Sequence, residues 1–192
     1  KINKLSAPTE KYEKIYFLVA LSGKIADTRL AIKIDYMSKI ILAIDPGASG
    51  GYALKHSDND GIATGSLPEG DDETLDFLRD IRRHGDECEL VIEKVASFGG
   101  QNIAASMSKL FGGKRFIEGV AMALGFRVVN VAPQKWQAHF SLGKKKDCGT
   151  GADWKRKLKT EAARRNPGLK VTLNNADALL ILEWALSNQT LL

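Results

Sequence analysis

Three acidic residues lie where a folded backbone could present them together to a cation. Asp45 follows the apolar run 40–44 and precedes a Pro-Gly turn, Glu93 follows a second apolar run, and Asp177 opens an apolar stretch near the carboxyl end. Hard divalent cations prefer oxygen ligands, and two of them roughly 4 Å apart can stabilise both the attacking and the leaving oxygen of a phosphodiester displacement. Because neither His nor Cys accompanies these acids, the pattern favours Mg²⁺, or Mn²⁺, over Zn²⁺.

Each acid also has a purely structural explanation. An Asp before Pro-Gly is ordinary turn chemistry, and a Glu that ends a strand is commonly a solvated edge residue. Asp177 lies three residues after Asn174, which is the spacing of a helix N-cap and the acid that returns to it. The coincidence of three such acids with a basic segment nevertheless favours one site over three separate causes.

Positive charge is concentrated in one part of the chain. Residues 144–165 hold nine Lys and Arg against three acids, a net of +6, whereas the whole chain carries +5, so the remaining residues sum to −1. Clustered positive charge indicates a polyanionic partner, because each neutralised phosphate releases condensed counterions. A solvated helix face is the alternative explanation.

The elements that must position the acids follow a recognisable order. Buried-strand and alternating patterns predict strands at 40–44, 52–55, 62–67, 89–93 and 126–131, and helical periodicity predicts helices at 71–83, 102–124, after Pro133, and at 176–187. Gly112 and Gly113 are expected to bend or divide the long helix. We therefore predict an α/β, ribonuclease H-like fold: a five-stranded mixed sheet, an antiparallel meander followed by parallel strands, flanked by helices.

Composition limits the other possibilities. A chain of 192 residues, 44% hydrophobic and 27% charged, can bury one core, and we interpret residues 37–192 as a single nuclease domain after a leader, residues 1–36, of uncertain origin. Cys88 and Cys148 have no partner spacing typical of zinc sites or disulfide frameworks, which favours a reducing cytoplasm. The apolar run 15–21 is far shorter than the roughly 20 residues that span a bilayer, so no membrane association is expected.

Four segments, in this order, resemble a known family. They are Ile44-Asp45-Pro46-Gly47 with Gly50, residues 91–95, residues 131–136 and residues 176–180. Together they resemble the RuvC-type Holliday-junction resolvases, most closely the small bacteriophage versions. The resemblance implies a crossover junction endodeoxyribonuclease: a homodimer that binds four-way DNA junctions and cuts two strands symmetrically with magnesium, leaving 5′-phosphates.

The resemblance also implies roles for individual residues. Asp45, Glu93 and Asp177 match the family's metal-binding catalytic acids, and Asn174 stands where a fourth ligand, Asp or His, is usual. Some relatives carry an aromatic wedge three residues after the strand Glu, where this chain has Ala96, with Phe98 as the nearby substitute. The residues then expected to contact the DNA backbone without reading sequence are Lys144, Lys145, Lys146, Lys155, Arg156 and Lys157. Trp136 is expected to be a packing anchor rather than a base-stacking residue.

Two other functions fit parts of the sequence. Actin-like and sugar-kinase-like ATPases also begin with a strand, an Asp and a Gly-rich turn, although they need a second domain for which 192 residues leave little room. A protein that grips branched DNA without cutting it is the other alternative, since Asn174 contributes no charge to a metal site.

Overall fold

The structure, a computed structural model, describes residues 38–47, 49–95 and 105–188, apart from the side chains of residues 105 and 106. The elements within these ranges are β1 Lys39–Asp45, β2 Gly51–His56, β3 Ile62–Ser66, α1 Asp71–Arg83, β4 Glu87–Glu93, α2 Ala105–Ala123, β5 Arg127–Val131, α3 Pro133–His139, a 3₁₀ turn Lys145–Asp147, α4 Gly151–Arg165 and α5 Ala176–Ser187. The predicted leader, residues 1–36, lies outside the described residues, so the proposed domain boundary stays a prediction.

The five strands form one mixed sheet in the order β3-β2-β1-β4-β5. β1 pairs antiparallel with β2, and β2 antiparallel with β3, whereas β4 pairs parallel with β1 and with β5. The prediction of a five-stranded mixed sheet, an antiparallel meander followed by parallel strands and flanked by helices, is confirmed.

The sheet is covered on both faces, which explains why β1 is apolar from Ile40 to Ile44 and β4 from Leu90 to Ile92. One core contains Ile41, Ala43 and Val91 together with α5 and the buried faces of α3 and α4. The opposite core contains Leu42, Ile44 and other side chains of the sheet with the apolar faces of α1 and α2. Successive residues of β1 therefore point into different cores, as the period of two in a strand requires.

Some boundaries and elements differ from the sequence-based expectations. α2 runs through Gly112 and Gly113 without a break, so the predicted division of that helix is wrong. The basic segment 144–165, for which no helix or strand was predicted, forms the 3₁₀ turn and α4, and a capping box between Thr150 and Asp153 fixes the first turn of α4. None of the helices within the described ranges is long and apolar enough to cross a membrane.

Candidate active site

Asp45 and Glu93 end two neighbouring parallel strands at the same edge of the sheet. Ile44 of β1 is in register with Ile92 of β4, and each acid is the next residue of its strand. The chain leaves Asp45 through a tight turn that needs glycine, because a Cβ on Gly50 would lie 2.2 Å from the carbonyl oxygen of Asp45. The sequence-based pairing of these two acids is therefore reproduced by the strand order.

Asp177 comes to the same edge from a helix. It is the second residue of α5, which packs against β1 and β2, and its side chain is only 10% exposed. The capping explanation for this acid does not hold, because Asn175, not Asn174, is the N-cap residue and makes no side-chain capping bond. Asp177 is thus a buried acid without a capping function.

Lys155 of α4 places its ammonium group among these acids. Its Nζ lies 3.4 Å from Oδ2 of Asp177, to which it donates a hydrogen bond, and 3.9 Å from Oδ2 of Asp45. The apolar face of α4, formed by Trp154, Leu158 and Ala162, is buried against the α5 side of the core, which turns Lys155 toward the strand ends. A residue predicted to contact DNA therefore belongs to the acidic site itself.

The three carboxyl groups have strongly perturbed acidities. Burial raises the pKa of Asp45 to about 8, and the negative charges of Asp177 and Glu93 add to the rise while Lys155 opposes it. Burial likewise raises the pKa of Glu93 to about 7, against the hydrogen bond from Trp136. The pKa of Asp177 is also raised by burial, with Lys155 acting in the opposite direction. Burial, which disfavours the charged form of a carboxyl group, is therefore the main cause of all three shifts, and Lys155 offsets it only in part.

The same acids shift the pKa of Lys155. Burial would lower the pKa of its ammonium group, but the charges of Asp177 and Asp45 outweigh burial and raise it. Lys155 therefore stays protonated and acts as a cation bound within the acidic site.

The donor set suits a hard divalent cation in its chemistry, since it consists of one buried and two partly buried carboxylates from a helix start and two strand ends. As the side chains stand, however, no three His, Cys, Asp or Glu groups in the described ranges are close enough together to enclose a metal ion. The ammonium group of Lys155 lies between two of the acids instead. A metal would have to draw the carboxylates inward and displace this ammonium group.

Trp136 contributes more than the predicted packing. It is fully buried, as expected of an anchor, and its indole Nε1 also donates a 2.8 Å hydrogen bond to Oε2 of Glu93. This contact follows from the sheet, because Val131, the last residue of β5, is in register with Glu93, and α3 begins two residues later. Recognising that β4 and β5 are neighbours could therefore have revealed it.

Asn174, the predicted fourth ligand, is hydrogen-bonded to β3 and makes no hydrogen bond to the three acids among the described residues. Its side-chain amide donates a 3.3 Å hydrogen bond to Oγ of Ser66 on β3, and its backbone oxygen would lie 2.3 Å from a Cβ on Gly51. Gly51 is paired with Ser66 on one side and with Asp45 on the other, so the backbone of Asn174 lies over the strand next to Asp45 while its side-chain NH₂ group is turned to β3. Within the described ranges, no hydrogen bond or ion pair joins Asn174 to the three acids.

The other predicted DNA-binding residues form an exposed basic surface beside the site. All of them are exposed: Lys144, Lys145, Lys146, Arg156 and Lys157. Lys145 is close enough to lower the pKa values of Glu93 and Asp177, which ties one end of this surface to the acids. Arg156 forms an ion pair with Asp153. Phe98, the suggested wedge, and Ala96 lie outside the described residues.

Comparisons with known proteins give likenesses of fold only. No protein-family model and no curated protein matches the chain. Among solved structures, the chain is similar to a Thermus thermophilus RuvC structure, with 13% identity and a TM-score of 0.48 over 79% of this chain and 96% of that one. It is also similar to T. thermophilus RuvC in complex with Holliday junction substrate, with 13% identity and a TM-score of 0.49 over 80% and 96% of the two chains.

Proposed function

We propose that this protein is a divalent-metal-dependent endonuclease that cuts branched DNA, four-way junctions foremost. The observation that carries the proposal is the meeting of Asp45, Glu93 and Asp177 at one sheet edge, with Lys155 among them and a basic surface alongside. Acids whose pKa values are raised by burial and by neighbouring charges cluster at functional sites, because a bound cation relieves both costs.

Mg²⁺ is the proposed cofactor, with Mn²⁺ as a substitute, held by Asp45, Glu93 and Asp177. When bound, the metal would activate water for attack on a phosphodiester and stabilise the leaving oxygen. No protein nucleophile is needed. Asn174 is left out of the ligand set because its side-chain NH₂ group is hydrogen-bonded to Ser66 on β3 and its neutral amide adds no charge to the site.

The chain's own residues supply orientation and charge. The indole of Trp136 fixes one oxygen of Glu93, and such hydrogen bonds to ligating carboxylates support metal sites generally. Once displaced from Asp177, the ammonium group of Lys155 would be free to approach the anionic phosphate and stabilise the charge that builds up during cleavage. The exposed lysines 144–146 and the outer face of α4 would hold the sugar-phosphate backbone.

The choice of branched DNA rests on the four motif segments and their resemblance to the resolvases. That resemblance also suggests a homodimer, since two sites related by symmetry would cut two strands of a junction.

The direct test is a panel of labelled DNA substrates incubated with the purified protein, with and without Mg²⁺: a four-way junction, a fork, a flap, a duplex and a single strand. We expect metal-dependent cutting of the junction that is lost in Asp45→Asn and in Glu93→Gln and retained in Asp60→Asn, an exposed acid between β2 and β3 that serves as the control. Undiminished cutting by both site variants would contradict the proposed site.

A second candidate is a protein that binds branched DNA without cutting it. It is favoured by the orientation of Asn174 and by the lack of a ready-made metal cage in the described part of the chain. Tight junction binding in EDTA, with no cutting after Mg²⁺ or Mn²⁺ is added, would support it. Phosphate release from ATP without DNA cutting would instead support the ATPase alternative.

A further inference from the structure

A cavity adjoins Asp45 on the side of the sheet covered by α1 and α2. Its volume is about 580 Å³, within the roughly 300–1,000 Å³ of ordinary small-ligand sites. The turn after β1, the start of α1 and one face of α2 form its walls, and Asp45 and Lys155 border it. The cavity is therefore continuous with the acidic site but too small for a duplex.

The walls combine an apolar surface with positive charge. Leu67, Leu110 and Ile117 supply aliphatic surface, and the half-buried ring of Phe116 lies beside them. Lys109 and Lys114 line the same cavity, as does Asp71, an acid in the first turn of α1. Aromatic side chains next to cations are the usual means of holding an unpaired nucleotide, because bases stack on the ring while phosphates meet the charges.

Among these charged side chains, Lys114 is held in place by hydrogen bonds to its neighbours. It is only 7% exposed, and its ammonium group donates to Glu118 and, at 2.6 Å, to Oδ1 of Asn130 on β5. Asn130 in turn donates to Glu118 at 2.7 Å, so the three side chains close a buried polar network. An ammonium group has three N–H donors, and these two contacts leave a third for a ligand in the cavity.

We propose that this cavity receives one unpaired nucleotide of the DNA strand whose phosphodiester lies at Asp45. The inference rests on the proposed nuclease function and adds to it a subsite for the nucleotide next to the cut. The base would occupy the apolar wall against Phe116, and its phosphate would face Lys109 and Lys155. Such a subsite favours branched DNA, because a base at a branch point is cheaper to unstack than one within a duplex.

Two glycines of α2 provide a variant that fills the cavity and a matched control that does not. A Cβ on Gly113, which lines the cavity, would meet no atom within 4 Å, and the same is true of Gly119, which does not line it. Leucine is a better helix former than glycine, so neither substitution should weaken α2. Gly113→Leu thus tests the cavity, and Gly119→Leu is its matched control.

The experiment measures cleavage of the four-way junction by the full-length wild type and both variants. A second set of junctions carries a single abasic site at each position within two nucleotides of the mapped cut. We expect Gly113→Leu to cut the intact junction about tenfold more slowly or worse, the order of effect of losing one base–aromatic stack, and Gly119→Leu to stay within about twofold of the wild type. At one abasic position the wild type should cut about tenfold more slowly than it cuts the intact junction. At that position Gly113→Leu should cut at the same rate as the wild type.

Several results would overturn the inference. Equal cutting of the intact junction by Gly113→Leu and Gly119→Leu would do so. The inference would also fail if, at every abasic position, the rate loss caused by Gly113→Leu multiplied with the rate loss caused by the abasic site, because the two changes would then act independently. If Gly113→Leu does not fold, Phe116→Leu takes its place, with slower cutting expected on intact DNA only. Inhibition of the wild type by a free deoxynucleoside monophosphate but no abasic effect would assign the cavity to a free nucleotide and overturn the strand assignment.

Failure of the proposed function would look different. A wild type that cuts no DNA in Mg²⁺ or Mn²⁺ would remove the nuclease proposal and this subsite with it. A wild type that cuts the junction, together with a Gly113→Leu variant that cuts it equally well, would remove the subsite alone.

Discussion

Replacing Asp45 by Asn should stabilise the metal-free protein while abolishing its activity. The folded protein raises the pKa of Asp45 from 3.8 to about 8, chiefly by burial and then by the charges of Asp177 and Glu93. An acid whose pKa is raised by folding does not affect the free energy of unfolding below its unfolded pKa. As the pH rises from the unfolded pKa to the folded pKa, it lowers that free energy. The metal-free wild type should therefore lose stability between about pH 4 and pH 8, and the variant should lose less.

The size of the effect has an upper bound. A shift from 3.8 to about 8 is about four pKa units, or about 6 kcal/mol at roughly 1.4 kcal/mol per unit. Asn leaves Lys155 with one acid fewer and still buries a polar group, so we expect a net gain of about 2 kcal/mol at pH 8, which is about 4–8 °C in Tm for a domain of this size.

The assay is thermal unfolding in EDTA at pH 4, 6 and 8, with Asp60→Asn as an exposed control. The advantage of Asp45→Asn over the wild type should be negligible at pH 4 and grow to pH 8. Saturating Mg²⁺ at pH 8 should then stabilise the wild type but not the variant, because the proposed metal site loses one of its three carboxylates in the variant. A variant no more stable than the wild type at pH 8, or an advantage that does not change with pH, would refute the reasoning.

Three further predictions concern the surroundings of the site. Trp136→Phe should keep the core packed but remove the hydrogen-bond donor to Glu93, which should lower the cleavage rate or the metal affinity about 10–100-fold and leave DNA binding unchanged. Trp184→Phe, at a second core tryptophan, is the control and should change neither cleavage nor metal affinity, as cleavage rates at varied Mg²⁺ concentrations will show. Replacing lysines 144–146 by Gln should weaken junction binding and flatten its dependence on salt by up to about 0.9 per lost phosphate contact, and an unchanged slope in binding titrations would leave them as surface charge. Asn174→Ala should leave cleavage rates within about threefold, because the amide faces Ser66, and a large loss would mean that it turns inward to bind metal.

The parts of this site that the sequence predicts are those set by local pattern and strand order. The apolar run that ends at Asp45 and the one that ends at Glu93 each specify a buried strand followed by an acid, and parallel pairing of the two strands suffices to bring those acids together. The approach of Asp177 follows in the same way from the apolar helix that it begins.

The remaining features depend on packing that no local pattern encodes. Lys155 looks like any other residue of a basic helix until the burial of Trp154 and Leu158 fixes the rotation of α4. The orientation of Asn174 is set by its neighbour Asn175, whose side chain accepts a 2.7 Å hydrogen bond from the backbone of Thr172 and so shapes the turn before α5. Contacts that depend on the rotation of a helix about its axis or on the shape of a turn are therefore the ones that the sequence does not predict.

The central claim is that Asp45, Glu93 and Asp177 form one metal site, and a Mn²⁺ titration followed by electron paramagnetic resonance tests it most directly. The wild type should bind Mn²⁺ saturably, Glu93→Gln and Asp177→Asn should each weaken that binding tenfold or more, and Asp60→Asn should leave it unchanged. Wild-type binding that persists in both site variants would contradict the claim.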